Sequence, residues 1–161
     1  MNQCCRCRSR RAVLFGVPAL VLFAACGADP NAVRPPEIAY GRDVCDQCGM
    51  VISEDKYACA LQLEDGSYRK FDDIGDLAQH QLEHPELRIR ARFVRDFISE
   101  KWIAAETATY VHSRTLATPM GHGLAAFEKK ADAEAAAKLW QGVVLTFDGV
   151  RVLPIKTQHA P

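Results

Sequence analysis

Methionine is scarce in this chain: only three of 161 residues. After Met1, only Met50 and Met120 remain, and each stands beside a glycine. Long apolar runs are also missing. The most extended apolar stretch, residues 12–25, falls short of the ~20 residues a transmembrane helix needs. There is no Gly-x-Ser-x-Gly elbow and no P-loop, which removes the common hydrolase and nucleotide-binding signatures. Beyond residue 25 there is no second CxxC to complete a structural zinc site. Basic charge has no surplus either: Lys+Arg and Asp+Glu both number 20. A chain without a positive excess is a poor candidate for binding nucleic acid.

What is present begins at the N-terminus. Arg6, Arg8, Arg10 and Arg11 precede the apolar run, which ends Leu22-Phe23-Ala24-Ala25-Cys26. A basic head, an apolar middle and a small-residue site form a secretory signal over residues 1–25. Ala24-Ala25-Cys26 is similar to a bacterial lipobox, with Phe23 where Leu is usual. Cleavage there would leave Cys26 to carry the lipid that anchors the chain to a bilayer, since each buried methylene contributes roughly 0.8 kcal/mol. Ser9-Arg10-Arg11 is also a weak twin-arginine signal. Processing sheds four arginines and no acidic residue, so the mature chain is acidic. Its remaining thiols would be Cys45, Cys48 and Cys59. Residues 26–41, with Pro30, Pro35 and Pro36, read as a flexible tether.

Beyond the tether the pattern is α+β. Tyr57 to Leu63 alternates as a strand, and Glu64-Asp65-Gly66-Ser67 turns it onto Tyr68 to Phe71. Asp72 and Asp73, placed to cap free amides, open a helix from Ile74 to Leu82. Arg90 to Ile98 and Trp102 to Ala104 follow as strands, and Met50 to Ile52 is a short strand candidate. The second half repeats the order: Thr109 to His112, Leu124 to Phe127, a helix over Lys129 to Trp140, and a strand from Val143 to Phe147 turning onto Arg151 to Leu153. Phe71 and Asp76 match Phe127 and Asp132 in spacing. The expectation is two small ββαβ subdomains, residues 42–104 and 105–161, related by an internal duplication.

The candidate chemistry lies in Cys45-Asp46-Gln47-Cys48-Gly49-Met50 and in Pro119-Met120-Gly121-His122-Gly123. Thiolate and thioether form a soft donor set, which favours Cu(I) over hard cations. Cys48 and Met50 are the first half of a metal site, with Met120 and His122 as a loop that swings onto the ion. Cys45 is an extra ligand, a disulfide partner or a bystander. Cys59, in an apolar strand, reads as core. His80 and His84 read as complements to a helix dipole, without a ligand role. A CxxC also permits a second reading, a thiol–disulfide oxidoreductase working through Cys45 and Cys48. Redox CxxC motifs usually open a helix, however, and Val51-Ile52 lean toward strand.

Cys48-Gly49-Met50, Phe71-Asp72-Asp73-Ile74-Gly75, Asp96-Phe97 with Trp102-Ile103, Ala105 with Ala108-Tyr110-Val111, and Thr118-Pro119-Met120-Gly121 with Ala126-Phe127 occur in order. Together they resemble the NosL family, accessory lipoproteins of bacterial nitrous-oxide reductase, over about residues 40–155. The resemblance implies a non-enzymatic Cu(I) metallochaperone, lipid-anchored on the periplasmic side of the outer membrane. It implies delivery of copper to nitrous-oxide reductase during denitrification, with docking on a membrane ABC-type assembly complex. It carries the ligand role onto Cys48 and Met50, and less firmly onto Met120. Cys45 departs from the family pattern.

Overall fold

A computed structural model describes residues 32–154. The signal segment and Cys26 lie outside them. Ten elements follow in order: β1 (Cys59–Leu63), β2 (Tyr68–Phe71), α1 (Ile74–Glu83), β3 (Ile89–Arg95), β4 (Trp102–Ala104), β5 (Thr109–His112), β6 (Leu124–Phe127), α2 (Lys130–Leu139), β7 (Val143–Leu145) and α3 (Phe147–Arg151). They form two antiparallel sheets, ordered β2-β1-β3-β4 and β6-β5-β7. Each sheet therefore contains a ββαβ unit with its first strand in the middle, as the sequence pattern anticipates.

β1 is buried on both faces because neighbours flank it and helices cover it. Its one amide side chain, Gln62, is kept satisfied: Nε2 donates to the Ala32 carbonyl at 2.9 Å, and Oε1 accepts from Arg34 N at 3.3 Å. Ile38 and Tyr40 also pack on the core. The described part of the stretch read as a tether, residues 32–41, thus lies fastened along the first sheet. The β1–β2 turn closes through Asp65 Oδ1, which accepts from the Ser67 amide and hydroxyl at 2.9 and 2.7 Å.

The two sheets join at a parallel bridge between Asp96 and Ala126, where Phe97 N donates to the Ala126 carbonyl at 2.8 Å. One cluster unites Leu61, Phe71, Ile74 and Val94 of the first unit with Tyr110, Leu124, Ala126 and Phe147 of the second. Two expectations need correction. Residues 147–151 form a short helix rather than a strand: Thr146 caps it by accepting from Gly149 N, so Asp148-Gly149 begins a helical turn instead of a hairpin. Met50 to Ile52 makes a single bridge, Val44 to Val51, and not a strand.

Candidate metal centre

The Cys45–Met50 stretch closes on itself. Cys45 N donates to the Met50 carbonyl at 2.8 Å, and Gly49 N donates back to the Cys45 carbonyl at 3.0 Å. Gly49 has φ +75°, a left-handed conformation that glycine adopts without strain. The loop is pinned to the edge of β2 by a reciprocal pair: Asp46 N to the Lys70 carbonyl at 2.8 Å, and Lys70 N to Asp46 Oδ2 at 2.7 Å. It is thereby laid over the start of α1.

That placement brings four donors together. One ligand atom each from Cys45, Cys48, Asp72 and Asp76 lies within 4.8 Å of the others. Cys45 Sγ donates to Asp76 Oδ2 at 3.2 Å, and Cys48 Sγ points to Asp72 Oδ1 at 3.6 Å. Asp72 was expected to cap α1; only Asp73 does so, by accepting from Gly75 N at 2.9 Å. Asp72 instead faces the thiols. Asp76, one turn into the helix, enters the sequence reading only as a marker of the internal repeat and not as a site residue. The i, i+4 spacing of Asp72 and Asp76 beside a CxxC was the signal that could have found them.

The second loop arrives through the helix start. Asp73 Oδ2 accepts from Thr118 Oγ1 at 2.6 Å and from Met120 N at 3.1 Å. His122 Nε2 meets Asp76 Oδ1 at 3.0 Å, with both side chains buried. This approach requires Gly75: a Cβ there would lie 2.2 Å from His122 Cγ. Both ends of the sequence-predicted site therefore converge on α1. Met120 is buried, whereas the Met50 side chain is 51 % exposed at the mouth of the loop. Cys59 is core, as expected, with Sγ donating to the Asp73 carbonyl at 3.3 Å. Cys45, Cys48 and Cys59 are all free thiols.

Burial pushes the Cys48 thiol up to about 11 and raises Cys45 further. Burial likewise raises Asp72. At Asp76 burial also acts upward, but hydrogen bonds from His122 and the two thiols outweigh it and hold the carboxyl below its usual range. At His122 burial acts downward, yet the Asp76 hydrogen bond and the field of Asp73, Asp76 and Asp72 win, raising the imidazole. The resting site thus sets two thiols that hold their protons tightly against Asp76, whose charged form His122 favours. A metal held by the two sulfurs would have to displace the thiol protons to solvent.

The family model described as NosL matches residues 38–152. The chain belongs to the NosL family. The copper-binding lipoprotein NosL of Stutzerimonas stutzeri is 27% identical over 124 residues, 71% of this chain and 65% of that protein's length. The chain thus spans somewhat less than two thirds of that curated relative. The crystal structure of the copper chaperone NosL from Shewanella denitrificans superposes with a TM-score of 0.61 at 26% identity, covering 71% of this chain and 96% of that one. The matched NosL segment begins at Ile38 and contains the loop at Cys48, the α1 start and the His122 loop.

Proposed function

We propose that this chain carries Cu(I) as cargo and hands it on for assembly of the nitrous-oxide reductase copper centre. The observation that carries the reading is the convergence of Cys45, Cys48, Asp72 and Asp76, in a chain whose relatives are named for copper. Thiolate sulfur is the soft donor Cu(I) prefers. In this reading Cys48 is the anchor ligand, and Met50 and Met120 supply thioethers. Cys45 and His122 are the remaining candidates for coordination. Asp72 and Asp76 act mainly as hydrogen-bond acceptors that orient the two thiols. Exposed Met50 is the donor a partner protein meets first, which suits transfer by stepwise ligand exchange.

Acylated Cys26 would anchor the chain at the periplasmic face of the outer membrane. Tethering to a surface raises the effective concentration of partners there. Nitrous-oxide reductase and its ABC-type assembly complex are the proposed recipients. The oxidoreductase alternative, through Cys45 and Cys48, has the electrostatics against it. A redox nucleophile needs a lowered thiol pKa, whereas burial raises both of these and no helix begins at the motif. X-ray absorption on the copper-loaded chain tests the reading: sulfur neighbours dominate around Cu(I), and loaded protein metallates apo nitrous-oxide reductase. A first shell made of oxygen, or no transfer, would overturn it.

A further inference from the structure

A second group of metal-ligating side chains lies on the opposite end of α1. His80 and His84 stand one turn apart, and their rings meet in a tilted contact, with centroids 4.4 Å apart and planes at 43°. Each ring is held through Nδ1. His80 Nδ1 meets Gln47 Oε1 at 2.8 Å, while His84 Nδ1 meets Glu86 Oε1 at 3.2 Å. The partners settle the tautomers. Gln47 Nε2 is committed to Glu83 Oε2 at 2.8 Å, so the atom facing His80 is the amide oxygen, which only accepts. The Glu86 carboxylate likewise accepts. Both imidazoles must therefore donate from Nδ1, which leaves the Nε2 lone pair of each neutral ring unprotonated. His80 is buried, 6% exposed, and among the described residues its Nε2 has no hydrogen-bond partner, so that nitrogen reaches the surface only at the edge of the ring. His84 is 44% exposed at its side chain.

A histidine that gives one ring N–H to a carbonyl or carboxylate and keeps the other nitrogen bare is the arrangement that metal-binding imidazoles adopt. Dipole complementation alone would need neither fixed tautomers nor two rings in contact. We propose that His80 and His84 form a second metal site, for a borderline divalent ion, with Cu(II) the tightest binder of that class. Gln47 and Glu86 orient the rings, and water or a partner's side chain completes the coordination. The site uses none of Cys45, Cys48, Met50 or Met120, so it stands or falls apart from the copper-carrier reading. Gln47 is the neighbour of Cys48, however, so filling one site stiffens the loop that forms the other.

Substoichiometric Cu(II) added to the full chain, with accessible thiols alkylated, is the test. Ring proton signals of His80 and His84 broaden first, and the electron paramagnetic resonance spectrum shows imidazole nitrogen coupling. His84→Ala, at an exposed position, abolishes that coupling. Glu86→Gln keeps both imidazoles and weakens Cu(II) by about tenfold, as loss of an orienting partner does. Broadening at His112 or His122 instead, or unchanged coupling in His84→Ala, overturns the proposal.

Discussion

The two ββαβ units follow the same path and differ where strand meets helix. In the first, Phe71-Asp72-Asp73-Ile74-Gly75-Asp76 puts three carboxylates and a glycine at the junction. Asp73 caps the helix, Asp72 and Asp76 face the thiols, and residues 74–80 are all buried. In the second, the equivalent Phe127-Glu128-Lys129-Lys130-Ala131-Asp132 has no side-chain cap, and α2 buries only Ala133 and Ala137. The backbone plan alone therefore makes no site. Site formation needs a helix start turned inward, a glycine that admits a foreign ring, and an outside loop that supplies sulfur. The second unit contributes its β5–β6 loop instead of its helix.

Substitutions at matched positions separate the two junctions. Asp73→Ala removes the cap, worth about 1 kcal/mol. It also leaves the Met120 amide without its acceptor, at a further cost of about 1–3 kcal/mol, measured by denaturant unfolding. Gly75→Ala forces a Cβ into His122 and costs about 1–3 kcal/mol by overpacking. The His122 ring signals should shift in that variant, while the reverse change Ala131→Gly costs only about 1 kcal/mol of helix propensity.

Protons sharpen the contrast further. Cu(I) must displace the proton from Cys48, whose thiol sits at about 11, so affinity falls as pH falls. The slope is about tenfold per pH unit for each proton released, read by competition titration between pH 6 and 8. A raised His122 steepens the slope if that ring also ligates. The smallest effect belongs to the second junction: Lys129→Ala stays within about 0.5 kcal/mol and leaves copper binding unchanged.

The architecture was legible because periodicity and turn residues act locally. The β1–β2 hairpin, α1, β5, β6 and α2 all follow from alternation, Asp-Gly turns and acidic helix starts. The Arg151 to Leu153 strand failed because Asp148-Gly149 suits a helical turn as well as a hairpin, and Thr146 supplied the cap. At the candidate site, the approach of the Cys48 loop and the Met120–His122 loop to one another was readable. Asp72 and Asp76 were not, since an acidic residue at a helix start is usually a cap. Only the folding of the Cys45 loop over α1, fixed by Asp46 and Lys70 across 24 residues, gives those carboxylates a different partner. The contact between Gln47 and His80 was hidden for the same reason, because it spans 33 residues.

Cys48 is the sulfur proposed to hold the copper. Competition between the protein and a Cu(I)-specific chelator, run anaerobically on wild type and Cys48→Ala, tests it most directly. Cys48→Ala should lose more affinity than the roughly 10- to 100-fold that removing an outer partner produces. Asp72→Asn, which leaves both sulfurs in place, should lose no more than that range. If Cys48→Ala binds Cu(I) as tightly as wild type, the assignment of this centre is wrong.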